Sequence, residues 1–406
     1  MKTKDKDVLK EEYLQRYAGV LIWGLTTARK GHYRKGNIIL IQYDLAALRL
    51  AEILYEKIIE MGMHPVQRVS LSTEMERSFF GKSDERQLIF RPPGEKELYN
   101  NLHGRIYLHA PESLIHLKDI DSAKIGKALV ARKNLRDILD AREHKGDYGW
   151  TLCTFPTEEL ALQARTTLGV YTNQIVKSCY LDQENPVEKW KEIRRKAAAI
   201  KKWLGNLDVD HFHIESAHCD LWISPGEQRQ WIGISGHNIP SFELFLSPDW
   251  RGTKGIYYAN LPSYRSGNYV EGVKLTFEKG EVAEVHAQTG EDFTVRQLAM
   301  DKGAKRIGEF SLTDKRFSRI NMFMADTLFD ENFGGKYGNC HIAVGASYTD
   351  TFAGDQAAMN PTLKRKLGFN ESALHWDLVN TEPKTVTALL KTGQKTIIYE
   401  NGLFKN

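Results

Sequence analysis

Residues 37–72 constrain the fold more than any other stretch of this chain. NIILIQY (37–43) is a short apolar run between Gly36 and a polar turn, which is the pattern of a buried strand. LAALRLAEILYEKIIEMG (45–62) repeats apolar residues at helical spacing and ends on Gly62, a helix C-cap residue. HPVQRVSLS (64–72) then returns to a strand pattern. Strand, helix and strand within so short a span form a βαβ unit. Its two strands must run parallel, because a crossover helix carries the chain back to the starting edge. An α/β domain with a parallel sheet is therefore expected at the N-terminal end.

A chain of 406 residues exceeds one small core, so further domains are expected. The polar stretch FRPPGEKELYNN (90–101) interrupts the apolar pattern, and RIYLHAP (105–111) resumes it. This predicts an N-terminal α/β domain over 1–104 and a larger α+β domain over 105–406 with a mixed sheet. Helical spacing is also read at the charged start MKTKDKDVLKEEYLQRYA and over 125–144 and 186–205. From about residue 211 the pattern turns strand-rich, with hairpin turns at Lys279-Gly280 and Asn401-Gly402.

Several classes are disfavoured. A balance of 56 basic against 52 acidic residues leaves a net charge of +4, too little to imply nucleic acid. The basic run KWKEIRRKAAAIKKW (189–203) carries Trp190, Ile193, Ala197, Ile200 and Trp203 at helical spacing, so its charges form a solvated face. The four cysteines, Cys153, Cys179, Cys219 and Cys340, make no C-x-x-C pair. Reduced thiols in a cytoplasmic protein are expected. Neither a signal peptide nor an apolar run of membrane-spanning length is evident. P-loop, dinucleotide, H-E-x-x-H and G-x-S-x-G signatures are absent from the sequence.

The chemistry concentrates in the second half. In ALHWDLV, His375 and Asp377 stand two apart in an apolar strand pattern and so share a face, with Trp376 on the other. Buried charged groups require a partner or a metal. Glu243, Glu309, Glu331 and His341 lie in comparable apolar surroundings, with Tyr348 seven residues after His341. No matching set of lysines or arginines flanks these carboxylates. An oxygen-rich set with two histidines suits Zn²⁺, Co²⁺ or Mn²⁺, with Mg²⁺ possible. It has too many donors for one catalytic ion, which points to two ions sharing a carboxylate and a water, as in hydrolytic sites. A competing centre is His211 and His213 in DVDHFHIESAHCD, although alternation there is also what a half-exposed strand shows. A non-enzymatic binding protein that kept the fold is the remaining alternative.

NIPSFELF, GEFSL, LFDEN, HIAVGASY and LHWDL, in that order, resemble the motifs of the aminopeptidase T / aminopeptidase S family of co-catalytic metallo-aminopeptidases. The likeness spans most of residues 150–406, including the closing TIIYENGLFK, and more loosely the N-terminal domain. It implies a peptide substrate, two divalent ions, a homodimer, and metal-site residues Glu243, Glu309, Glu331, His341, His375 and Asp377. Glu309 would be the bridging ligand and a catalytic group, with Tyr348 beside the ions. The chain departs from the pattern at Phe242, where the family has the first of two glutamates. The segment FGGKYGNC (333–340) is also longer than the family's.

Overall fold

The computed structural model describes residues 8–406, so the charged start MKTKDKD lies outside the described residues. Strands are numbered along the whole chain. The N-terminal apolar runs form β1 (Ile38–Tyr43) and β2 (His64–Val69), parallel and joined by helix α2 (Leu48–Glu60). α2 ends as read: Gly62 takes φ +73°, and its N–H and that of Met63 bond back to Ile59 and Ile58. Helix α1 (Glu11–Ala28) buries Leu14, Tyr17, Leu21 and Leu25. β3 (Gly104–His109), β4 (Gly149–Thr154) and the two-residue β7 (Asn238–Ile239) complete a parallel sheet in the order β2-β1-β3-β4-β7. The helix expected over 125–144 is two helices, Ser122–Ala131 and Lys133–His144, separated where the Arg132 N–H bonds to Leu129.

The boundary expected at residue 104 falls inside this sheet, because β3 starts there and pairs with β1. The first compact unit comprises 1–190 with 235–240, and the second 191–234 with 241–406. The polar stretch that suggested a linker is part of the first unit. Glu95–Asn101 is a helix with Tyr99 buried, and the Glu95 carboxylate is buried against Arg68 of β2 at 3.1 Å. The expected helix Pro186–Gly205 is present, and the division falls within it.

The second unit is α+β, and every strand pairing recorded in it is antiparallel. Its larger sheet contains β5 (Val209–Ser216), β6 (Asp220–Ser224), β9 (Asp249–Ala259), β12 (Val273–Glu278), β13 (Glu281–His286), β17 (Lys384–Leu390), β18 (Lys395–Glu400) and β19 (Leu403–Phe404). A smaller sheet runs β16 (His375–Asn380), β15 (Asn339–Gly345), β14 (Ile307–Thr313), β8 (Glu243–Leu246). A hairpin of β10 (Ser263–Arg265) and β11 (Asn268–Val270) stands apart.

β14 and β15 are buried along their whole length, which explains why neither reads as alternating polar and apolar. One face of the small sheet packs on the large one. Phe310 meets Phe212 of β5 at 5.4 Å between ring centroids, and the Tyr257 hydroxyl of β9 donates to the carbonyls of Cys340 and Leu378 at 2.9 and 2.7 Å. The opposite face carries the candidate site. Among the described residues no helix is long and apolar enough to cross a membrane.

Candidate metal centre

Antiparallel register decides which side chains share that outer face. Residues paired across strands lie on the same side, and a step of two along a strand keeps the side. Ser311 pairs with Phe245 and His341, Glu309 with Ala343, Ala343 with Asp377, Gly345 with His375, and Thr313 with Glu243. Glu243, Glu309, His341, His375 and Asp377 therefore project from four strands onto one face. Trp376, one residue out of step, is buried.

Two sets of donors result, each with atoms within 4.8 Å of one another: Glu243, Glu309 and His341, and Glu309, His375 and Asp377. Glu309 belongs to both. His341 Nε2 lies 3.1 Å from Glu309 Oε1, 3.2 Å from Glu243 Oε2 and 3.9 Å from Asp377 Oδ1. His375 Nε2 lies 3.4 Å from Asp377 Oδ1 and 3.7 Å from Glu309 Oε2. His375 Nδ1 is 2.9 Å from the Ala346 carbonyl, which can only accept, so Nδ1 carries the proton and Nε2 is aimed at the carboxylates. His341 Nδ1 is buried and finds no hydrogen-bond partner among the described residues.

Glu331 reaches the group from outside the sheet, at the end of the one-turn helix Thr327–Asp330. It lies outside both three-donor sets but lines a cleft with Asp377, Asp326, Leu261, Tyr264 and Val379. The 333–340 segment is anchored at both ends. Asn339, at the start of β15, donates to the carbonyls of Glu331 and Phe333 at 3.0 and 2.7 Å, and the Gly334 and Gly335 N–H groups bond to Ile320. The Tyr348 ring stands 4.6 Å from that of His375 and 5.8 Å from that of Phe245, and is 45 % exposed. Phe242 is fully buried, with its N–H held by Asn332.

The electrostatics show how costly this crowding is. Burial, the opposing bond from His341 notwithstanding, together with the Glu243 charge pushes the Glu309 carboxyl up to about 7. Burial and the charges of Glu243 and Asp377 push Glu331 well above the usual carboxylate range. Burial disfavours the charged form of His375, yet Asp377 and Glu309 outweigh it and raise the imidazole to about 9. His341 is likewise raised, the bonds from Glu243 and Glu309 overcoming its burial. Asp377 is held at about 2, since the neighbouring His375 charge outweighs burial. Protons thus gather where positive charge is short. Arg265 supplies some of it: its charge acts on Asp377, and its Nη1 donates to the His375 carbonyl at 2.8 Å. Oxygen-rich donors around two imidazoles, one with its outer nitrogen fixed, fit divalent metal ions.

Sequence reasoning missed Arg265, Ser311 and Asn332. Ser311 Oγ donates to Glu243 Oε2 at 3.2 Å and stands two residues after Glu309, so the period of two was its signal. Asn332 directly follows Glu331, whereas Arg265 has no local signal. The alternative histidines do not assemble a centre. His211 Nδ1 pairs with Asp210 at 2.7 Å. His213 pairs with Asp220 at 2.8 Å and Glu215 at 3.3 Å and stacks on Trp222. Neither belongs to a metal-type donor group among the described residues.

This donor chemistry, carried on a buried antiparallel sheet, is that of a metalloenzyme. Residues 10–404 match the thermophilic metalloprotease (M29) family, and the chain belongs to that family of hydrolases. It is 25 % identical to aminopeptidase PepS of Streptococcus thermophilus over 97 % of this chain and 98 % of that protein. It is 30 % identical to aminopeptidase T of Thermus aquaticus over 63 % of this chain and 62 % of that protein. The structure of wild-type AmpT from Thermus thermophilus shares the fold, with a TM-score of 0.76 at 23 % identity, covering 97 % of this chain and 99 % of that one.

Proposed function

We propose that this protein is an aminopeptidase that removes N-terminal residues from peptides at a two-metal centre held by Glu243, Glu309, Glu331, His341, His375 and Asp377. The observation that carries the reading is the sharing of Glu309 between two three-donor sets, which is what a bridging carboxylate requires. When bound, divalent ions such as Zn²⁺, Co²⁺ or Mn²⁺ supply Lewis-acid polarisation and lower the pKa of water.

The chain's own groups do the rest. The acidic cleft attracts the α-ammonium of a peptide, which a neutral N-blocked terminus lacks. Tyr348, beside His375 and partly exposed, presents a hydroxyl that donates to the oxyanion developing on the scissile carbonyl. Glu331 closes the ligand set from the cleft side. Glu309 or Glu331 takes up, at a carboxylate oxygen, the proton that the attacking water releases and passes it to the departing amine. Phe245 and Tyr348 form an aromatic edge beside the acidic group, their ring centroids 5.8 Å apart.

A cytoplasmic setting is proposed from the sequence reading. A homodimer follows from the family resemblance and is checked by sedimentation at several concentrations. The function is tested with a panel of aminoacyl-p-nitroanilides beside their N-acetylated counterparts, in protein stripped by chelator and then resupplied with Zn²⁺, Co²⁺ or Mn²⁺. Hydrolysis should require a metal and a free amine. Turnover that persists without metal, or equal turnover of blocked substrates, refutes the proposal.

A further inference from the structure

We infer that Asn332 is a positioning residue for the metal centre, one carboxamide setting two acidic groups that arrive from different parts of the fold. The inference rests on the metal reading of the site proposed above.

Asn332 is completely buried. Its Oδ1 accepts from the N–H groups of Phe242 and Glu243 at 2.5 and 3.0 Å, pinning the start of β8 where Glu243 leaves the backbone. Its Nδ2 donates to the Leu328 carbonyl at 2.9 Å, which fixes the carboxamide on the one-turn helix. The same Nδ2 lies 3.4 Å from Glu331 Oε1. Its backbone joins the same network, since the Asn332 carbonyl accepts from Ser318 Oγ. Glu243 is not paired through its strand with Glu331, which lies off the sheet, so β-register alone cannot set their separation. Asn332 bridges them with an acceptor on one side and a donor on the other. Both functions are needed. An acceptor alone would hold β8 but present a second lone pair to the Leu328 carbonyl and the Glu331 carboxylate.

That division gives the test. Asn332→Asp keeps an oxygen able to accept from both backbone N–H groups and loses the donor, whereas Asn332→Ala loses both. Each variant is purified, stripped of metal, and compared with the unmodified protein. Zn²⁺ affinity is measured by competition with a chromophoric chelator, and the visible spectrum is recorded after loading with Co²⁺. Thermal unfolding of the stripped proteins reports the fold. Outer partners of metal ligands typically change affinity about 10–100-fold. A loss in that range is expected for Asn332→Asp, together with an altered Co²⁺ spectrum and an unfolding transition that remains cooperative. Wild-type affinity and spectrum in Asn332→Asp overturn the inference, including when Asn332→Ala fails to fold, because the residue would then hold only backbone. If the unmodified protein binds no ion, the metal reading itself falls and the inference with it.

Discussion

Replacing Glu309 with glutamine should abolish turnover while leaving the metal-free protein as stable as before or more so. Burial and the neighbouring Glu243 charge raise the Glu309 carboxyl from 4.5 to about 7 in the folded protein. A displacement of that size is worth about 3 kcal/mol. The sign follows from proton binding. Below about pH 4.5 the group is protonated whether folded or unfolded, and nothing is lost. Between about pH 4.5 and 7 the folded state keeps the proton that the unfolded state releases, so stability falls as pH rises. Above about pH 7 the full cost of burying the charge is present. That net displacement already includes the opposing bond from His341 at 3.1 Å, and a neutral glutamine, like the protonated carboxyl, does not carry the cost. The metal-free variant at pH 8 should therefore be as stable as wild type or more stable, by at most about 3 kcal/mol. Metal reverses the order, because an ion that binds only the folded state adds about 2.7 kcal/mol at a hundred times its Kd, and the variant lacks the donor common to both sets. Calorimetry at pH 8, with chelator and with Zn²⁺, beside a nitroanilide assay, measures all three quantities. A metal-free variant destabilised by several kcal/mol, or one that responds to Zn²⁺ as wild type does, refutes the reasoning.

His375→Ala should eliminate activity, whereas His213→Ala, which removes a histidine hydrogen-bonded to Asp220 on the large sheet, should leave kcat within a factor of about two; the opposite ranking would restore the His211/His213 centre. Tyr348→Phe should lower kcat by about 10²–10³-fold if its hydroxyl supports the oxyanion, with KM little altered in steady-state kinetics. Gly308→Ala would set a Cβ 2.2 Å from the Ala346 carbonyl oxygen, immediately before Glu309. It should cost about 1–3 kcal/mol in urea unfolding and weaken Zn²⁺ binding; unchanged binding would mean that β14 yields without moving Glu309.

Much of the N-terminal unit was legible because its signals are local. An apolar strand, an amphipathic helix ending at Gly62 and a second strand each announce themselves within a few residues. GWTLCT, which becomes β4, did not, since its polar threonines are buried only by the surrounding fold. The misplaced boundary has the same origin. A polar stretch resembles a linker until Arg68 arrives from β2 to neutralise the buried Glu95.

For the site, the sequence determined the chemical inventory and the pairs that a period of two places on one face: His375 with Asp377, and Glu309 with Ser311. The motif resemblance gathered the remaining residues in order. The tertiary structure decided which donors meet. Opposition of His341 to Ser311 and of Ala343 to Asp377 is set by pairing between strands far apart in the chain, and no local spacing encodes that register. Glu309 becomes common to both donor sets only when β14 lies between β8 and β15. Arg265 reaches Asp377 from a hairpin more than a hundred residues upstream, and Asn332 joins Glu243 to Glu331 across a similar gap. Such contacts are fixed by burial and hydrogen-bond satisfaction in the folded core, where an unmatched charge or donor is costly, and so they exist only in three dimensions.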